Sequence, residues 1–298
     1  MSTHLTQDSE STLWQIMRLL RWHKPAGRLI LMLPALWATI AAAKTQHQLP
    51  HLDLLGVMIL GSLATSAAGC VINDLWDRNI DPLVERTQNR PLAARSLSIQ
   101  VGIVVLLISL LCAFVLSTYL TPLSFSLCLA AVPVIAFYPA CKRFFPIPQL
   151  VLSIAWGFAV LIPWSAVTGS LDRPVWELWS AVIAWTMGFD TIYAMSDRED
   201  DRQVGVHSSA LFFGKYVTQA IAIFFAIACG FLIWLGSDIQ LGYPYYLTCL
   251  TAGVIWTWQY NQLVQAEIPN EFYQKAFGQN VWVGFIVLAG MLPSLFVN

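Results

Sequence analysis

Nine apolar runs, each about as long as a bilayer's hydrocarbon core is thick, set the terms for this chain. A helix needs about 20 mostly apolar residues to cross a membrane. Such runs lie at roughly 29–45, 52–75, 98–118, 122–141, 147–168, 174–196, 211–235, 243–263 and 277–296. Composition agrees, with 57% of the 298 residues hydrophobic and only 11% charged, against about 25% charged in soluble domains. That is too little polar material to cover a globule in water. The sequence predicts an all-α, polytopic membrane protein with nine transmembrane helices. Thirteen tryptophans suit two membrane–water interfaces, where indole sits well, although the same rings also serve as apolar packing.

Ahead of the first run, the segment 12–22 (TLWQIMRLLRW) places Leu13, Ile16, Met17 and Leu20 at helical spacing. It predicts a short helix lying along the membrane surface. Residues 1–11 read as a disordered polar tail, and 12–298 as a single transmembrane domain. No short apolar core with a small-residue cleavage site precedes Leu29, so a removed signal peptide is not expected. A net charge of −1 gives no pull towards nucleic acid. The six cysteines fall in or beside apolar runs without zinc-type spacing, so no disulfide framework is expected.

Lysine and arginine set the orientation. With nine spans and a cytoplasmic N-terminus, 14 of the 16 fall inside, leaving Lys44 and Arg173 outside. One missed span would scramble that asymmetry. The expectation is an integral protein of a bacterial-type inner (plasma) membrane, surrounded by membrane lipid. The long charged loops after spans two and six lie inside, so the chemistry is expected at the cytoplasmic face.

Those loops begin with acidic motifs. NDLWDRNID ends span two and spaces Asn73, Asp77 and Asp81 four residues apart. On a continuous helix they would share one face, drifting about 40° per step, while Asp74 would point elsewhere. YAMSDREDD ends span six and sets Asp197 four residues before Asp201. Carboxylates gathered at negative helix ends repel one another and drive protons back on. A divalent cation removes that penalty, and Mg²⁺ commonly binds one or two carboxylates together with substrate phosphates. A single DxxxD is a common solvated helix face. Two of them, at the inner ends of two spans that both run outside to inside, predict a metal–diphosphate site.

A basic set lies close by. Arg86 and Arg90 follow in PLVERTQNRPL, Lys142 and Arg143 end span four in YPACKRF, and Lys24 precedes span one. Guanidinium forks match phosphate oxygens. The positive-inside bias alone would also place cations here.

The segments NDLWDRNID, RTQNRPL, YPACKRF and DTIYAMSDREDDRQVG resemble the UbiA superfamily of intramembrane aromatic prenyltransferases, most of all its 4-hydroxybenzoate polyprenyltransferase branch. The resemblance runs from RWHKPAGRLILMLPALWA to QKAFGQNVWVGFIVLAG. It implies nine helices around a central cavity and Mg²⁺-dependent binding of a polyprenyl diphosphate. It also implies metal ligation by Asn73, Asp77, Asp81, Asp197 and Asp201, and diphosphate binding by Arg86, Arg90 and Lys142.

The chemistry expected is electrophilic aromatic substitution in prenylquinone (ubiquinone or plastoquinone) biosynthesis. The allylic carbon–oxygen bond ionises, Phe137, Tyr138 or Trp156 shelters the cation, and the 4-hydroxybenzoate ring attacks ortho to its hydroxyl. Asp190 and Tyr193 are the candidate catalytic residues, with Asp190 as base or acceptor-positioning group. Arg143, about 100° from Lys142 on a helix, is the candidate partner of the acceptor's carboxylate. Two alternatives stay open: another acceptor (homogentisate, a dihydroxynaphthoate, a chlorophyll or haem precursor), or a cation-coupled transporter.

Overall fold

Where the apolar runs meet polar residues, local chemistry starts and stops helices. The Ser98 hydroxyl accepts the Val101 N–H at 3.3 Å and the Thr121 hydroxyl that of Ser124 at 3.3 Å, each satisfying a donor that a helix start leaves orphaned. Gly169, at φ 72°, ends a helix in the left-handed region that a Cβ disfavours. The computed structural model describes residues 11–265 and 267–296, so the expected tail lies, but for residue 11, outside the described residues. The helices are α1 (Thr12–Leu19), α2 (Ala26–Thr45), α3 (Leu52–Trp76), α4 (Ile99–Ser117), α5 (Pro122–Cys141), α6 (Pro148–Thr168), α7 (Arg173–Met195), α8 (Arg198–Val204), α9 (Ser209–Phe213), α10 (Val217–Asp238), α11 (Tyr243–Leu263) and α12 (Asn270–Met291). No strand occurs among the described residues, and the six cysteines are free thiols.

Each of the nine apolar runs coincides with a long helix: α2–α7 and α10–α12. Seven helical stretches are long and apolar enough to cross a membrane, so the chain is an integral membrane protein; α7 and α11 are not among them. Both are long enough but too polar. α7 carries Glu177 and Asp190, and α11 carries four tyrosines with Gln259, Asn261 and Gln262. Neighbours meet that polarity, since α7 packs against α6, α10 and α12 and most of its residues are buried.

The main core joins α2, α6, α7 and α10–α12. Trp37 stacks on Trp185 with ring centroids 4.9 Å apart, and Phe189 meets Trp185 edge-on. Gly284 permits the approach of α12 to α2, because a Cβ there would collide with Leu33. The Gly284 carbonyl accepts the Trp37 indole N–H at 2.9 Å. A second, smaller cluster ties Leu19 of α1 to Val71 of α3 and to Leu92 and Leu97 of the following loop. Few residues of α3, α4 and α5 are buried, and the functional cavity lies between this thin wall and the main core.

Asn280 holds the core's polar centre. Its Oδ1 accepts the indole N–H groups of Trp185 (2.9 Å) and Trp256 (3.0 Å), and its Nδ2 donates to Gln259 Oε1 (3.2 Å) and the Ala276 carbonyl (2.9 Å). One buried amide therefore links α7, α11 and α12. Asn280→Ala leaves two indole donors and Gln259 without their partner. We expect a stability loss of about 1–2 kcal/mol, read as a lower thermal midpoint of the purified protein. An unchanged midpoint would contradict the bridging role.

Candidate active site

A break in the helix sets how the first acidic motif is presented. α3 stops at Trp76, and Asp81 opens a 3₁₀ turn, Asp81–Leu83, with Pro82 in its first turn, where a missing N–H costs nothing. The continuous helical face expected for Asn73, Asp77 and Asp81 is thus interrupted. The second motif breaks likewise: α7 ends at Met195, Asp197 precedes α8, and Asp201 lies within α8. One helical turn survives in each. The Asp81 N–H donates to the Asp77 carbonyl, and the Asp201 N–H to that of Asp197, both at 2.8 Å.

The two motifs meet a cavity of about 1250 Å³ whose lining includes Asn73, Arg86, Arg90, Lys142, Asp190, Tyr193, Asp197 and Asp201. Asp77 and Asp81 sit just behind that lining and are buried, at 2% and 5% exposure. Lys142 Nζ contacts Asp77 at 2.9 Å, and Arg90 contacts Asp81 at 2.8 Å. Arg86 forks onto Asp197, with Nε at 2.8 Å from Oδ1 and Nη2 on Oδ2. It also donates to the Tyr193 hydroxyl at 2.9 Å and lies 4.7 Å over that ring. The chain thus pairs acids expected to bind metal with bases expected to bind diphosphate.

Electrostatics follow the pairing at Asp197 and Lys142, whereas burial raises the Asp81 carboxyl despite Arg90. Burial alone would raise the Asp197 carboxyl, but hydrogen bonds and charge from Arg86 hold it below its ordinary value. Burial also opposes charge on Lys142, yet the neighbouring Tyr138 and Asp77 raise its pKa. Asp201 lacks such a partner, and burial, with the charge of Asp197 adding to it, pushes it up to about 6. Asp190 lines the cavity from α7 within reach of the charges of Lys142 and Arg86, with no hydrogen bond or ion pair among the described residues. Tyr138, Trp156 and Phe277 line the less polar part.

Two expectations are corrected. Arg143 does not line the cavity: it donates to the carbonyls of Trp76 (2.8 Å) and Pro139 (3.1 Å), lies over the Trp76 ring and reaches only the far side of Asp77. Those carbonyls at the ends of α3 and α5 hold its side chain outside. Phe137 points outward, at 61% exposure. The sequence reading also missed a contact: Arg21, just after α1, reaches Asp74 across 53 residues of sequence. No local spacing announces it.

No group of three or more His, Cys, Asp or Glu side chains that could hold a metal occurs among the described residues. The donors are hard carboxylate oxygens on two facing turns, each beside a cation that binds phosphate well. That set fits Mg²⁺ shared with a diphosphate, the ion's usual habit, and not a closed protein cage.

Residues 31–281 match the UbiA prenyltransferase family. The chain is 62% identical over 285 residues to the 4-hydroxybenzoate solanesyltransferase of Synechocystis sp., covering 95% of this chain and 97% of that one. Among solved structures it resembles an apo UbiA homolog from Aeropyrum pernix K1, with TM-score 0.78, 24% identity, and 89% of this chain and 97% of that chain covered. It also resembles a UbiA homolog from Archaeoglobus fulgidus bound to GPP and Mg²⁺, with TM-score 0.71, 19% identity, and 95% and 100% covered. The helical bundle, the paired acidic turns and these likenesses agree: the chain belongs to the UbiA prenyltransferase family.

Proposed function

We propose that this protein transfers a polyprenyl group from its diphosphate to 4-hydroxybenzoate, ortho to the hydroxyl, in a Mg²⁺-dependent step of prenylquinone biosynthesis. The observation that carries the reading is the paired set Asp77–Lys142, Asp81–Arg90 and Asp197–Arg86 at one end of a large cavity. The acceptor is supported by the Synechocystis relative's name, and Mg²⁺ with a prenyl diphosphate by the ligands of the Archaeoglobus neighbour.

The residues divide the work. Lys142, Arg86 and Arg90 exchange carboxylate partners for non-bridging diphosphate oxygens. Asp77, Asp81 and Asp197, so released, would hold Mg²⁺ together with Asn73 and Asp201. When bound, the ion supplies positive charge to the departing diphosphate. Tyr138, Trp156 and Phe277 keep water from the allylic cation. Asp190, without an ion-pair contact among the described residues, accepts the ring proton or positions the acceptor, and Tyr193 has its hydroxyl proton to offer the acceptor. In this reading all nine long helices cross the inner membrane, with the N-terminus and the site on the cytoplasmic side, the arrangement that the lysine and arginine distribution favours.

The deciding experiment supplies the purified protein with polyprenyl diphosphate, Mg²⁺ and each candidate acceptor, and weighs the products. Prenylated 4-hydroxybenzoate is expected. Product only from homogentisate or a dihydroxynaphthoate would reassign the acceptor. Ion uptake into vesicles without diphosphate release would favour a transporter.

Chelation with EDTA should abolish turnover and added Mg²⁺ restore it; full activity in the chelator would end the metal reading. Asp77→Asn and Asp197→Asn should each remove turnover while the protein remains folded by thermal melt. Arg86→Ala deletes a charge-assisted contact of about 1.5–3 kcal/mol. Prenyl diphosphate affinity should fall about tenfold or more, with the Michaelis constant for 4-hydroxybenzoate nearly unchanged. The opposite split would place Arg86 at the acceptor.

A further inference from the structure

Asp74 belongs to the first acidic motif but does not line the cavity, and it is fully buried. A carboxylate buried this deeply needs excellent partners, and it has two. Arg21 Nη1 reaches Oδ2 at 3.2 Å and Nη2 reaches Oδ1 at 2.6 Å. From the other side Arg90 Nη1 reaches Oδ1 at 3.3 Å while contacting Asp81 at 2.8 Å.

Two further features show that Arg21 is held in place. Its backbone sits at φ 60°, a left-handed conformation that costs an ordinary side chain energy. Glycine or asparagine would adopt it more readily, yet a long cation occupies it and reaches inward. The segment is also pinned to the loop carrying Arg86 and Arg90. Arg18 Nη2 donates to the Asn89 carbonyl at 2.8 Å, and Leu19 is buried with Leu92 and Leu97.

We propose that Asp74 is a positioning residue, through which Arg21 of the N-terminal segment holds Arg90 at the diphosphate end of the cavity. The inference rests on the reading of Arg90 as a diphosphate ligand. In that reaction Asp81 turns to the cation, and Asp74 is then the carboxylate that keeps the Arg90 guanidinium oriented. The surface helix α1 is by this account part of the catalytic apparatus, acting at one remove.

The test uses the full chain in lipid nanodiscs. Geranylgeranyl diphosphate with Mg²⁺ is titrated calorimetrically into wild type, Asp74→Asn, Arg21→Gly and Arg21→Lys, each also melted thermally. Asp74→Asn and Arg21→Gly should weaken binding about fivefold, less than the tenfold or more of deleting a charge-assisted contact outright, because Arg90 remains but is held less well. Arg21→Lys should retain most of the affinity, and the Michaelis constant for 4-hydroxybenzoate should stay within about twofold throughout, since no acceptor contact is removed. Arg21→Gly relieves the backbone, so it reads out positioning even where Asp74→Asn fails to fold. A lowered melting point with unchanged diphosphate affinity in Arg21→Gly would overturn the proposal and leave Asp74 a folding residue. Weakened binding in the variants, in a protein that makes no prenylated 4-hydroxybenzoate, would sustain the positioning role while ending the proposed function. A wild type that binds no prenyl diphosphate would end both.

Discussion

Charge neutralisation inside a largely apolar bundle is the condition on which the other features depend. Asp74, Asp77, Asp81 and Asp197 are each held by at least one cation, drawn from the turn after α1, the loop after α3 and the end of α5. Removing one partner of a buried pair costs about 3–5 kcal/mol, whereas an apolar replacement of the whole pair is often neutral. Such pairs are therefore poor investments in stability. What they achieve is a set of buried acids and placed bases. In the proposed reaction a diphosphate and its cations would replace those partners, so that substrate entry exchanges contacts and leaves few charges bare.

Backbone breaks make that exchange geometrically possible. Because both acidic motifs fall on turns, the side chains of Asp77, Asp81 and Asp197 leave the axes of α3 and α7 and meet loop residues that a straight helix would carry past them. The end of α3 ahead of the 3₁₀ turn at Asp81 is one break, and the passage from α7 into α8 is the other. The main core holds the second turn through the apolar contacts of α7, and Asn280 adds a polar tie among three of its helices.

Much of this was legible in the residues themselves. Apolar length located every long helix, because the bilayer's thickness leaves little freedom in span length. Four-residue spacing located the acidic turns, since one backbone hydrogen bond preserves it even where the helix ends. Side-chain direction beyond that turn was not legible. Arg143 was expected to face inward from its angle to Lys142, but the carbonyls at two helix ends claim it. Arg21 looked like one more positive-inside residue, and only tertiary packing brings it to Asp74. Asn280 lay in an apolar run with nothing local to mark the two indoles it would serve.

The polarity of α7 bears on how the protein is made. A helix with Glu177 and Asp190, and with mean hydropathy too low to qualify as a span by composition, gains little by entering lipid alone, since each charged residue opposes insertion. Its favourable surroundings are the faces of α6, α10 and α12, and two of these three are synthesised after it. On the proposed nine-span topology, stable residence of α7 in the bilayer is therefore a late event, completed only when the C-terminal helices arrive. A chain truncated before α10 leaves α7 without two of the three helices it packs against.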